Sequence, residues 1–102
     1  MQNTSDKPNS TQKANVSADW RQLVARLLKA EMSKRGVKYQ DLSTRLDSID
    51  VNQSADNLRN KVNKGIMGAD LLLQIMYVLN MRKIERDEII DIFADMGRNL
   101  ED

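Results

Sequence analysis

Apolar residues along this chain recur at intervals of three and four, the spacing that places them on one face of an α-helix. In the first such run the stripe consists of Trp20, Leu23, Val24, Leu27 and Ala30. No segment alternates with period two, and none is rich in β-branched residues, so no strand is predicted. The pattern predicts an all-α fold, and 102 residues is the size of one domain.

The periodicity and the glycines that interrupt it predict five helices. Helix 1 begins near Ser17–Asp19 and ends at about Arg35, where Gly36 stops it. Helix 4 is apolar almost all round over residues 69–80, which predicts a central buried helix. The other predicted bounds are Tyr39–Ser48 for helix 2, Ser54–Lys64 for helix 3 and Glu85–Met96 for helix 5.

The two ends of the chain differ from the part between them. Residues 1–17 are almost entirely polar and include the only proline, Pro8, so they cannot bury enough apolar surface to order themselves. We therefore predict a disordered arm over residues 1–17, a helical domain over residues 18–97, and a frayed tail over residues 98–102.

Composition argues against several classes of function. The chain has no cysteine and no histidine, which removes the usual nucleophile–base pairs and the commonest metal ligands. It has no glycine-rich phosphate loop, and the acidic residues of helix 5 are interpreted as a solvated face rather than a magnesium site. We expect no enzyme activity, cofactor, metal or small-molecule substrate.

Hydropathy and charge indicate where the chain acts and on what. No apolar run reaches membrane-spanning length and no secretory signal is present, so a cytoplasmic protein without a membrane partner is expected. Residues 19–80 hold ten basic and seven acidic residues, whereas residues 81–102 hold four basic and seven acidic ones. A basic middle segment is compatible with a nucleic-acid face.

Helix 3 carries the most specific functional signal. If Leu58 points inward, Ala55 and Val62 fall on the same side at the helical period. The opposite side then holds Gln53, Asn57, Asn60, Lys61 and Lys64. Asn and Gln can pair with adenine edges, and Lys can reach guanine or phosphate. Asparagine is a poor helix former, so its repetition here favours a functional use over stability.

The segment at residues 35–46, RGVKYQDLSTRL, resembles the Cro/C1-type helix-turn-helix, with Leu42 and Leu46 as its Leu-x-x-x-Leu pair. The resemblance continues at Lys64–Gly65 and through Leu71–Asn80, which is similar to the fourth helix of that family. It implies a lambda repressor-like fold in which helix 3 is the recognition helix. It also implies a DNA-binding transcriptional regulator, with repression as the favoured mode.

A closer resemblance is to a set of small bacterial proteins of unknown function. The shared features are Trp20, Lys29–Glu31, Gly36–Tyr39, Asn60–Lys61 and Lys64–Gly65.

Two features depart from the Cro/C1 pattern. The turn at residues 47–53 is about four residues longer than a standard helix-turn-helix turn, and such a turn can tilt the recognition helix. Lys38 stands where that family has a Ser or Thr N-cap, and Lys cannot accept a capping hydrogen bond.

The expected partner is double-stranded DNA, and a homodimer is the expected form in which a helix-turn-helix reads two half-sites. Two functions stay open for Ile89, Ile92 and Phe93 of helix 5: pairing two copies, or packing as the fifth core helix of one copy. The predicted DNA-binding residues are Lys38, Gln53, Ser54, Asn57, Arg59, Asn60, Lys61 and Lys64. The alternative is a protein–protein interaction module that kept the helix-turn-helix fold without DNA binding. Single-stranded nucleic acid is disfavoured because no exposed aromatic pair is expected for base stacking.

Overall fold

The computed structural model describes the backbone of residues 3–100 and the side chains of residues 16–100. Over that part of the chain the fold is all-α, as predicted, with no strand. The five helices are α1 (Asn3–Arg35), α2 (Tyr39–Asp47), α3 (Ala55–Lys64), α4 (Ala69–Val78) and α5 (Arg86–Asp95).

Helix α1 begins much earlier than the apolar pattern predicts. Its backbone is helical from Asn3, not from Ser17–Asp19. The backbone N–H and C=O groups of a helix bond to each other locally, so a helix can extend beyond its apolar stripe. The stripe alone therefore does not show where the helix begins. The side chains of residues 1–15 lie outside the described part, and the predicted mobility of residues 1–17 stays a prediction.

All five helices end in the same way. A residue with positive φ follows the last turn, and the next backbone N–H donates to a carbonyl five residues earlier, as from Val51 to Leu46 at 3.0 Å. This is the Schellman arrangement, which satisfies carbonyls that the helix leaves unpaired. The five positive-φ residues are Gly36, Asp50, Gly65, Asn80 and Gly97.

Helices α1, α2, α3 and α4 share one apolar core, and its burial holds them together. Its completely buried members are Leu28, Leu42, Leu46, Leu58, Val62, Ile75 and Leu79. Helix α5 lies against α1, where the ring of Phe93 meets Trp20 edge to face with centroids 4.6 Å apart. The predicted inward residues Leu42 and Leu46 of α2 and Leu58 and Val62 of α3 do form the core. The stripe predicted for α1 is right only in part, because Leu23 and Leu27 are buried whereas Trp20 and Ala30 are exposed.

The prediction that helix 4 is buried all round is wrong. Leu71 and Ile75 point into the core, but Leu73 is 62% exposed and Tyr77 is 73% exposed. Helix α4 packs on α2, and among the described elements none covers its opposite side. A short domain has too few helices to cover both sides of each one, and composition alone does not reveal which side stays open.

The C-terminal segment is more ordered than predicted. Gly97 ends α5 as expected, but Arg98 is not frayed, because its guanidinium forms an ion pair with Asp19 and its backbone N–H bonds to Phe93 at 2.8 Å. Residues 101–102 of the predicted tail lie outside the described part. No helix within residues 3–100 has the length and apolar character needed to cross a bilayer.

Candidate nucleic-acid interface

Helix α3 is held tightly at its C-terminal end. Leu58 and Val62 are buried in the core, as the sequence predicts. Beyond them Gly65 lies directly on the backbone of α1: a Cβ atom at this position would be 1.8 Å from the carbonyl oxygen of Arg21. No other residue type fits such an approach, so α3 has a fixed position relative to α1.

The N-terminal end of α3 is held through the long turn. Asp50 adopts a φ of 63°, and the chain then returns so that Val51 packs against the core. The Ser43 hydroxyl of α2 donates a hydrogen bond to the carbonyl of Gln53 at 2.6 Å. The extra residues of this turn are therefore tied to α2 rather than forming a loose loop.

Ser54 is the N-cap of α3. Its hydroxyl accepts a hydrogen bond from the backbone N–H of Asn57 at 3.0 Å, which satisfies one of the unpaired donors of the first turn. The predicted site residue Ser54 thus has a defined structural function at the exposed beginning of the helix.

On one part of the outward surface of α3, the side chains make no hydrogen bond or ion pair with the other described residues. At 3.6 residues per turn, Asn57, Asn60 and Lys64 lie within an arc of roughly 60°. All three side chains are exposed, and Lys61 beside them is half-buried. Within the described residues, no side-chain hydrogen bond or ion pair engages any of these four. We call these four residues the free face of α3.

On the opposite flank of α3, side chains contact each other and α2. Arg59 forms an ion pair with Asp56 at 2.6 Å, and its guanidinium carbon lies 5.3 Å from the centre of the Tyr39 ring. Burial raises the pKa of the Tyr39 phenol above its ordinary value, and the positive charge of Arg59 partly offsets that rise. The predicted site residue Arg59 is thus fixed against α2, turned away from the free face.

A cleft of about 660 Å³ lies beside this flank, between α1, α2 and α3. Its lining residues are Lys29, Met32, Ser33, Val37, Lys38, Tyr39, Gln40, Ala55, Asp56 and Arg59. Lys29, Lys38 and Arg59 thus line the cleft together with one acidic residue, Asp56, which pairs with Arg59. Lys29 was not among the predicted site residues, because its distance from α3 along the sequence gives no signal of its proximity.

Lys38 occupies the N-cap position of α2 with an exposed side chain. Its backbone N–H donates to the carboxylate of Asp41 at 3.0 Å, and its own side chain makes no capping hydrogen bond. This leaves the Lys38 ammonium at the cleft.

The predicted placement of Gln53 is wrong. The residue precedes α3 instead of standing on its outward side, and its amide oxygen is buried without a hydrogen-bond partner among the described residues. The Ser43 hydroxyl holds the backbone carbonyl of Gln53 against α2. A base-reading role for Gln53 would require this side chain to move.

The predicted site residues therefore fall into three groups. Asn57, Asn60, Lys61 and Lys64 form one free face, Lys38 and Arg59 lie at the cleft, and Ser54 and Gln53 belong to the start of α3. The chemistry offered is hydrogen bonding and positive charge. In the described part of the chain no cluster of acidic side chains is arranged to hold a metal ion.

Comparison with known proteins places this arrangement in a family. Residues 20–84 match the profile of a domain of unknown function, DUF6471, and the chain belongs to that family. The match includes the predicted site residues and ends before α5. Searches of characterised proteins and of solved structures found no match.

Proposed function

We propose that this protein binds double-stranded DNA and regulates transcription, most simply as a repressor. In this proposal α2 and α3 form a helix-turn-helix of the Cro/C1 type, and α3 is the recognition helix. The observation that carries the proposal is the free face: two asparagines and two lysines on one side of a rigidly held helix, with no described partner within the protein.

The chemistry of the free face suits the major groove. A side-chain amide offers a donor and an acceptor together, which matches the N6 and N7 atoms of adenine, so Asn57 and Asn60 would read base edges. Lys61 and Lys64 lie in the last turn and would contact phosphate. The flank with Asp56 carries a negative charge, and its pairing with Arg59 reduces the repulsion that DNA would otherwise meet.

Helix stability does not account for these residues. Asn57, Asn60 and Asn63 stand within one ten-residue helix, and each is a worse helix former than Ala, Glu or Lys. All three are exposed, so packing does not require them either. A surface selected for contact with DNA explains both observations.

The rigid mounting of α3 also favours this function. A base-reading helix must present its side chains in one orientation, and α3 is fixed by Gly65 at one end and by the Ser43–Gln53 hydrogen bond at the other. The Ser43–Gln53 hydrogen bond ties the long turn to α2, which favours a single orientation of α3.

A mobility-shift assay over a salt series tests the proposal, after bound sequences have been selected from a random duplex pool. Affinity should fall steeply with salt, because each phosphate contact releases a counterion. The double variant Lys61→Glu/Lys64→Glu should lose binding. The matched control, Arg82→Glu/Lys83→Glu, makes the same charge change on the connection between α4 and α5 and should retain most of it. Unimpaired binding by the first variant would rule out α3 as the reader.

A second candidate function is a protein-interaction module that keeps this fold without binding DNA. The exposed side chains of Leu73 and Tyr77 on α4 favour it, since large exposed apolar groups often mark protein contacts. The same assay separates the two candidates: a module of this kind gives no shift at any salt concentration.

A further inference from the structure

The outer face of α4 is apolar, exposed and part of a folded helix. Leu73 is 62% exposed and Tyr77, four residues later on the same face, is 73% exposed. Ile66, just before the helix, is 55% exposed. Tyrosine is enriched among the residues that dominate protein interfaces, because it buries a large area and keeps a polar tip.

The two ends of this face carry opposite charges. Asp70 lies in the first turn of α4 and is exposed. At the other end the Arg45 guanidinium reaches across from α2 and donates to the carbonyl of Val78 at 3.1 Å. Arg45 and Tyr77 line a cleft of about 500 Å³ beside that end of the helix.

We propose that two copies of this chain pair antiparallel through the outer face of α4. A twofold axis near Leu73 brings the two Leu73 side chains together at the centre. The same axis places each Asp70 opposite the partner's Tyr77 and Arg45, so the opposite charges at the two ends meet twice. A parallel pairing would instead bring like charges together, at Asp70 and at Arg45. The charge distribution therefore favours a second copy of this chain as the partner, with its α4 antiparallel.

The sequence offers α5 as a pairing surface, but its apolar residues largely pack within the same protomer. Phe93 is 1% exposed against Trp20, and Ile89 and Ile92 are half-buried. Of the two candidate surfaces, α4 is the one whose large apolar side chains lack cover within the described chain.

The outer face of α4 is too small to form a stable interface alone. A stable interface buries roughly 800 Å² on each partner, more than one side of a ten-residue helix provides. The flanks must therefore join in: Ile66 at one end and the cleft with Arg45 at the other. Such an interface predicts a dimer that forms and dissociates with concentration.

Sedimentation equilibrium of the full chain without DNA tests the pairing over the micromolar range, so its outcome does not depend on the proposed DNA binding. The wild-type protein should dimerise. Leu73→Asp should weaken association by more than about tenfold, because the substitution acts on both copies at the centre of the interface. Its melting temperature at low concentration should match the wild type, since the side chain is exposed. The control Leu100→Asp changes an apolar residue of 40% exposure outside α4 and should leave the dimer intact.

A charge exchange tests the direction of pairing. Arg45→Asp should weaken the dimer, and the double variant Arg45→Asp/Asp70→Arg should restore it, since each substituted arginine then meets an aspartate across the axis. A wild-type protein that stays monomeric throughout would overturn the proposal. So would a dimer that Leu73→Asp leaves unchanged, or a double variant that shows no recovery.

Discussion

Gly65 shows how one residue can determine the position of a functional helix. It has a φ of 65°, which side chains other than glycine adopt only with strain, and its Cα lies against the carbonyl of Arg21. The two constraints are independent, because one is local to the backbone and the other joins α3 to α1. Together they explain why glycine stands directly after the last residue of the candidate recognition helix.

We expect Gly65→Ala to lower the free energy of unfolding by about 3 kcal/mol or more, combining left-handed strain with a backbone clash. Urea denaturation followed by circular dichroism measures the change. Gly36→Ala is the matched control. Gly36 has a φ of 67° but nothing within 4 Å of the added Cβ, so only the strain of about 1 kcal/mol should appear. Equal losses in the two variants would show that the contact with Arg21 contributes nothing.

Asn60 is the residue for which a base-reading function makes the sharpest prediction. Asn60→Ala should weaken binding to the selected sequence by about 1–3 kcal/mol and change binding to random duplex little. The fold should persist, because the side chain is exposed and has no described partner. Competition mobility shifts with the two DNAs give the comparison, and an equal loss on both would argue against base reading.

Lys64 should behave differently, because phosphate carries no sequence information. Lys64→Ala should weaken binding to all duplexes and reduce the slope of log affinity against log salt by about one. A salt titration on a selected and on a random duplex measures that slope. A loss confined to the selected sequence would assign Lys64 to a base instead.

At the scale of elements, the sequence predicts the helices well where an apolar stripe and a stop residue agree. Helix α3 begins and ends as predicted, since Ser54 caps it and Gly65 ends it. Helix α5 likewise lies between Glu85 and Met96. The start of α1 is missed, because nothing in the polar residues before Ser17 marks a helix boundary.

The candidate site is predictable only in part, for a related reason. The free face follows from the helical period within one segment, so Asn57, Asn60 and Lys64 are found from the sequence. The contact between Arg59 and the Tyr39 ring does not follow from the sequence, because only the packing of α2 on α3 brings the two residues together. The buried position of the Gln53 amide oxygen does not follow from the helical period either, because Gln53 precedes α3.

The first half of α1 should contribute little to the stability of the domain. Deleting residues 1–17 removes a polar segment and leaves the apolar stripe that begins at Trp20. The melting temperature should stay nearly unchanged while the helical circular dichroism per chain decreases. A large drop in melting temperature would mean that this segment packs on the core.

At the scale of the whole molecule, α5 closes the fold by returning to α1. Phe93 is buried against Trp20, and Arg98 pairs with Asp19 on the same helix. Long-range contacts of this kind cannot be located from periodicity, which predicts that Phe93 points inward but not what it meets. For α4, the sequence shows that the outer side is apolar. It does not show that no other described helix covers that side.

Phe93→Ala should therefore destabilise the whole domain by about 3–5 kcal/mol, the usual effect of removing a buried aromatic ring. Chemical denaturation gives the value. Leu100→Ala, at an exposed position beyond the same helix, should change it by less than about 0.5 kcal/mol. A small loss at Phe93 would mean that α5 separates from the domain without unfolding the rest.

The contact between Trp20 and Phe93 also gives the protein an intrinsic optical reporter. Trp20 is the only tryptophan, so indole emission comes from a residue at the contact between α5 and α1. The ring is partly exposed, and its emission wavelength and quenching by iodide should respond when α5 leaves. Departure of the last helix can thus be timed separately from loss of the core, without attaching any label.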